Sequence, residues 1–261
     1  MKTNITLSLF STIALITAAL GNRDLCSDPN SNCDVVTING NKAIRFKPDM
    51  GPGSEDYTLR FGNSSTQQQS TLESRANEII TSVNMGKTDM GWGCDDIIIE
   101  DILQELHWLC LDGPEGGQGA CDEGSAHKMD VGWVTNSEYV LAELTIRAEG
   151  TYPSWAKHAF IDALRAIPPS GAVHTQDIWY TDHDWLEPSS EVCAMRRYPN
   201  WVQISKNEGN GLVGYMEVFA EAVPVTNTET CETILKVAGA IAGAVSGVLG
   251  GFFGIAEVAC G

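Results

Sequence analysis

The chain has 261 residues, 43% hydrophobic and 19% charged, with 34 Asp plus Glu against 16 Lys plus Arg, and eight cysteines. That composition buries a core, which excludes disordered, collagen-like and low-complexity classes. A formal charge of −18 argues against a nucleic-acid partner, because phosphate backbones are held by clustered Lys and Arg.

Residues 1–21 carry Lys2, an apolar run from Leu7 to Leu20 and small residues at Ala19 and Gly21, the pattern of a secretory signal removed on export. The expected mature organisation is a secreted domain over 22–230 and a Gly/Ala-rich hydrophobic segment over 231–261. An extracellular location gives Cys26, Cys33, Cys94, Cys110, Cys121, Cys193, Cys231 and Cys260 a disulfide role. No Cys-x-x-Cys pair points to zinc or redox chemistry. On a helix over 95–111, Cys94 and Cys110 stand about 24 Å apart and cannot bond, whereas Cys110 with Cys121 is one permitted local bridge. Asn63-Ser64-Ser65 is a glycosylation sequon.

In chain order, Val35 to Ile38 and Lys42 to Phe46 flank Asn39-Gly40, a hairpin signal because both turn residues tolerate positive φ. Tyr57 to Phe61 reads as a third strand. Residues 71–83 and 95–111 have helical spacing and would cover one face of a sheet. Between Leu111 and Lys128 an acidic, Gly-rich loop carries Asp112, Glu115, Asp122 and Glu123, without the pattern of a calcium loop. Tyr139 to Ala148 alternates as a half-buried strand. A helix opens at Pro153 and stops at Pro168-Pro169, and strands follow over 201–205 and 212–223. The expectation is an α+β fold: a disulfide-stabilised antiparallel sheet with helices packed on one face, plus a C-terminal hydrophobic helix or helical hairpin.

Val237 to Ala256 is twenty residues without a charge. Gly239, Gly243, Gly247 and Gly251 recur every four residues, with Gly250 and Gly254 beside them, so a helix here carries a smooth strip that another backbone could approach. A continuous helix would part Cys231 from Cys260 by about 43 Å, and a bond between them would need a reversal, for which Gly250-Gly251 is the natural place. A core hairpin, an inserting hairpin, a permanent anchor and a glycolipid-anchor signal all remain open.

With this segment, the signal and the strand-helix-strand plan, the sequence resembles secreted yeast and fungal killer toxins, particularly the salt-mediated kind. The resemblance implies a toxin or effector whose partner is a target-cell membrane or cell-surface component, engaged through the C-terminal hairpin. Arg196-Arg197 would then suit the dibasic processing such toxins undergo. No cofactor or metal is implied, and the oligomeric state stays open.

Catalytic signatures are sparse. Gly86-Lys87-Thr88 lacks the first glycine of a phosphate loop, and neither a nucleophile elbow nor a zinc-protease helix is present. The remaining site candidate is His174, Asp177, Asp182, His183, Asp184 and Glu187, interleaved with Trp179, Tyr180 and Trp185. Such groups could exchange protons, and the aromatic faces could stack on sugars. That keeps an extracellular carbohydrate-active enzyme and a non-catalytic secreted binding protein as alternatives. His107 beside Trp108 reads as a helix residue satisfied by its neighbours.

Overall fold

A computed structural model describes residues 26–62, 79–94, 99–114, 117–182, 188–209, 211–225, 235–247 and 255–260. The expected signal over 1–21, Asn63, His183, Asp184, Cys231, Gly250, Gly251 and Gly254 lie outside the described residues.

The Asn39-Gly40 turn joins β1 (Cys33–Ile38) to β2 (Asn41–Phe46), with φ of 51° and 84° at its two residues. This hairpin forms a sheet of its own. α1 (Glu55–Phe61) replaces the strand expected at Tyr57 to Phe61. Ser54 accepts the Tyr57 amide as N-cap, acids fill the first turn and Gly62 ends the helix, so capping overrides a short apolar pattern that fits either structure. β3 (Ile79–Met85) and β4 (Asp89–Gly93) come next. Residues 79–83, expected to end a helix, are extended instead, because β3 runs between two other strands and its β-branched residues suit that position.

The helix expected over 95–111 is three short turns, α2 (Ile99–Ile102), a 3-10 turn (Leu103–Glu105) and α3 (Leu106–Leu109). The chain then extends as β5 (Cys110–Leu111) and β6 (Gln118–Cys121). β7 (His127–Thr135) and β8 (Glu138–Pro153) form a long hairpin. α4 (Lys157–Ala166) follows and Pro168 closes it. β9 (His174–Asp182), β10 (Ser189–Pro199), β11 (Trp201–Glu208), β12 (Gly211–Glu221) and β13 (Val223–Val225) come after it. α5 (Ala238–Gly247) and β14 (Ile255–Cys260) complete the described chain.

The expected α+β fold is therefore corrected. Strand outweighs helix, and one large mixed sheet runs β14-β3-β11-β12-β8-β7-β4-β10-β9. It is mixed because β14 joins β3 in parallel. Nor do the described residues of the C-terminal segment form a helical hairpin: they are a ten-residue helix and an edge strand. No helix among the described residues is long and apolar enough to cross a membrane.

Period-two alternation gives the central strands two different faces. Val83, Met85, Val202, Ile204, Met216, Val218, Leu144, Ile146 and Ala148 point to one side and join α2, α3, α4 and α5 in the main core. Ser82, Asn84, Gln203, Ser205 and Glu217 point to the other side, yet they too are buried, because the β1–β2 hairpin lies over them.

Three bridges join pairs of described residues: Cys26–Cys33, Cys94–Cys193 and Cys110–Cys121. Cys260 is also disulfide-bonded. Cys94–Cys193 sits where the two halves of the sheet meet, since β4 touches β7 through the single pair Gly93–Gly132. A Cβ on Gly132 would lie 2.5 Å from the Gly93 carbonyl oxygen, so β7 approaches β4 as closely as it does only because Gly132 lacks one; a Cβ on Gly93 would instead lie 2.8 Å from the Ala194 carbonyl oxygen of β10. Gly132→Ala is expected to lower the unfolding free energy by about 1–3 kcal/mol, read from urea denaturation of the oxidised protein.

Candidate functional site

The polar face of the sheet is organised around one guanidinium. Glu149 on β8 and Glu217 on β12 are direct cross-strand partners, a pairing of like charges that is unfavourable on its own. Arg45 of β2 resolves it: its Nη2 donates to Glu149 Oε2 at 2.8 Å and to Glu217 Oε1. The other oxygen of Glu217 accepts from Trp201 Nε1 at 3.0 Å and from Gln203 Nε2 at 3.1 Å. Gln203 also engages β2 directly, accepting the Ile44 amide at 2.9 Å and donating to the Ile44 carbonyl at 3.2 Å. The Arg45 guanidinium lies 4.5 Å from the centroid of the Tyr215 ring, close enough for a cation–π contact.

Burial pushes the Glu217 carboxyl from the ordinary 4.5 up to about 7, outweighing the Arg45 contact, and the neighbouring Glu149 adds to the rise. Burial likewise raises Tyr215.

Beside this network a cleft of about 860 Å³ opens between the 46–55 segment that leaves β2 and a wall of Pro114, Gly117 and Gln118, with Thr151 and Tyr215 of the sheet also lining it. Phe46 and Tyr215 form an aromatic corner with ring centroids 6.0 Å apart. Asp49, Ser54, Glu55, Gln118 and Thr151 present carboxylate, hydroxyl and amide groups to the same space. Glu217 has no exposed side-chain surface and Glu149 does not line the cleft, so the carboxylate pair supports the wall without facing a ligand.

The residues singled out in the sequence are placed elsewhere. His174, Asp177 and Asp182 belong to one edge strand, and its alternation puts His174 and Asp182 on one face with Asp177 on the other. His174 and Asp182 are eight positions apart, about 27 Å along a strand, so the fold does not gather the three into one site. Among the described residues no cluster of His, Cys, Asp or Glu has the makings of a metal site. Arg196 and Arg197 are paired on one side with β4 and on the other with β9, whereas a processing protease needs an extended segment it can pair with itself. Asp112 binds Lys157 at 3.3 Å, and Asp122 caps its own turn by accepting the Gly124 amide at 3.0 Å. His107 stacks beside His158, ring centroids 5.2 Å apart; burial first, then His158 and Lys157, lowers its pKa.

On α5 the glycine strip faces outward. Ile241 and Val245 are fully buried in the main core, while a Cβ on Gly239, Gly243 or Gly247 would meet nothing within 4 Å.

The Arg45 network was not apparent in the sequence. Gln203, Ser205 and Asn207 alternate with Val202, Ile204 and Lys206, and Glu143, Thr145, Arg147 and Glu149 alternate along β8, which reads as a solvent face. The available signal was the long-range one, a polar row with few charges on β11, unlike the Lys- and Glu-rich faces that usually meet water.

No family model, curated protein or solved structure matches the chain.

An unfolded chain releases the Glu217 proton near 4.5 while the folded one holds it to about 7. Between those values the native state binds more protons, so stability falls as pH rises, by on the order of 1–3 kcal/mol. Urea midpoints measured from pH 4.5 to 8 should show that fall in the wild type and lose it in Glu217→Gln. On α5, Gly243→Ala should raise the unfolding free energy by about 0.5–1 kcal/mol, because the position is open and glycine is the costlier helix residue.

Proposed function

We propose that this is a secreted, disulfide-braced binding protein of effector type, which takes a neutral polar ligand of saccharide class in the cleft between the 46–55 segment that follows the β1–β2 hairpin and the sheet. The observation that carries this reading is the cleft itself: an aromatic corner of Phe46 and Tyr215 beside Asp49, Ser54, Glu55, Gln118 and Thr151. Sugars present apolar C–H faces to aromatic rings and hydroxyls to short polar side chains, and both kinds of surface are adjacent here. Preorganisation supports the reading as well, since Tyr215 is held by the Arg45 network and the hairpin is pinned by Gln203.

Binding is favoured over turnover because the strongly perturbed carboxyl, Glu217, is sealed beneath the hairpin, where no substrate atom comes within hydrogen-bond reach. Binding in the cleft is also favoured over membrane action through the C-terminal segment. The large apolar side chains of α5 are spent in the core, where each contributes about 1.5–3 kcal/mol that insertion would forfeit. The three bridges suit an extracellular setting.

The test is calorimetric titration with soluble β-glucan, mannan and chitin oligosaccharides. At least one should bind, with Phe46→Ala and Gln118→Ala each weakening it about tenfold, or about 1.4 kcal/mol, while urea midpoints confirm that both variants fold. Absence of binding by all three classes, or affinity indifferent to both substitutions, refutes the assignment.

A further inference from the structure

The sheet ends in β9, whose outer edge is met by the β7–β8 turn at Thr181 and, among the described residues, is unpaired and regular from Thr175 to Trp179. Its nine residues pair with β10 without a bulge, and the strand contains neither Pro nor Lys, two residues that commonly blunt an edge. The Thr181 amide donates away from β10, to the Ser137 carbonyl at 2.9 Å. Backbone groups alternate along a strand, so the amides of Thr175, Asp177 and Trp179 point the same way. None of these three has a backbone partner among the described residues.

The same three residues put their side chains on one face. Trp179 is 63% exposed and stands opposite Val192, itself 47% exposed. Asp177 stands opposite Ala194, so no side chain directly across β10 neutralises it; Arg196 is one pair further along.

These features identify the occupant. A free row of amides and carbonyls accepts an extended backbone, the mode of strand addition. A second copy of this chain fits poorly. The antiparallel register that uses all three free amides of both copies sets Asp177 directly opposite its own counterpart, a destabilising like-charge pair. Each copy also carries a net charge of −18. We infer that β9 is a docking edge for an extended segment of a different protein, which adds antiparallel to β9 with a cationic side chain opposite Asp177 and an apolar one over Trp179 and Val192. This edge is separate from the cleft and does not depend on its ligand.

The probe is a blocked seven-residue peptide that alternates threonine with valine, lysine and valine, added to full-length oxidised protein and followed by amide shifts of Thr175, Asp177 and Trp179 and by Trp179 fluorescence. Saturable shifts confined to β9 and β10 are expected. Asp177→Lys should weaken binding about tenfold and Trp179→Ala several-fold, and an analogue methylated on its edge-facing amides should not bind. Asp177→Pro should abolish binding while leaving the ladder to β10 intact, because the amide it removes faces away from β10; unchanged β10 amide shifts would show that the variant is folded. The inference is overturned if β9 amides do not respond at millimolar peptide, if the methylated analogue binds equally well, or if the protein itself forms a dimer that Asp177→Pro dissociates, which would make a second copy the occupant.

Discussion

The contact between Arg45 and the Glu149–Glu217 pair is the constraint on which the arrangement depends. β1 and β2 share no ladder hydrogen bonds with the large sheet, so backbone pairing cannot hold them against it. Side chains do so instead: Cys33 and Ile44 pack on Leu212 and Tyr215, and three polar attachments fix the register. Arg45 bridges two carboxylates, Gln203 reads the Ile44 peptide, and Asn32 makes the same kind of two-sided bond to Leu212, its Oδ1 accepting at 2.7 Å and its Nδ2 donating at 3.0 Å. A buried ion pair adds little net stability because desolvation cancels much of its Coulomb gain, but losing one partner strands the other charge at a cost of about 3–5 kcal/mol. Its contribution is therefore to position. Only one placement of the hairpin satisfies Glu217, and that placement sets Phe46 against Tyr215 and so shapes the cleft.

The disulfides divide the remaining work unequally. Cys26–Cys33 spans 7 residues and Cys110–Cys121 spans 11, whereas Cys94–Cys193 spans 99. Loop-closure entropy rises with the logarithm of span, so the long bridge constrains the unfolded chain by about 2 kcal/mol more than the shortest. It also lies where covalent help is most needed. The two halves of the sheet touch through one glycine pair there; Met90, Trp92 and Tyr198 of the β4–β10–β9 half join the main core, while Cys193 and Met195 pack with Val134 of β7 in a small satellite cluster around the bridge. The short bridges act locally, one bracing the approach to β1 and the other tying β5 to β6 beside Pro114, Gly117 and Gln118, which line the cleft.

Legibility in the sequence followed the range of the interactions involved. The Asn39-Gly40 hairpin, the alternating β8 and the Pro-bounded α4 depend on neighbours within a few residues and were readable. Residues 79–83 were not, because Ile79, Ile80 and Val83 satisfy helical spacing as well as they satisfy a central strand, and only pairing with β11 and β14 decides between them. Tyr57 erred the other way, with Ser54 and Gly62 converting a strand-like pentapeptide into α1. The candidate site was the least legible part. Arg45 lies 104 residues from Glu149 and 172 from Glu217, and nothing local to any of the three marks it. The described residues that did stand out, His174 to Asp182, drew notice through density of charge and aromatic rings, a density that an edge strand produces while putting His174 and Asp177 on opposite faces.

The charge of −18 has a different meaning once these placements are known. Acid is present on both sides of the protein's working surfaces but in different states. At the hairpin it is buried, and Glu217 tolerates burial by holding a proton to near neutrality and sharing one guanidinium with Glu149. At β9 it is solvated, and Asp177 costs nothing until another strand arrives. The first use of acid selects a single internal partner, Arg45, and thereby one conformation. The second selects among external partners, since the same carboxylate that repels its own counterpart attracts a cation. Acidity in this chain thus acts through specificity, within the molecule at one site and between molecules at the other.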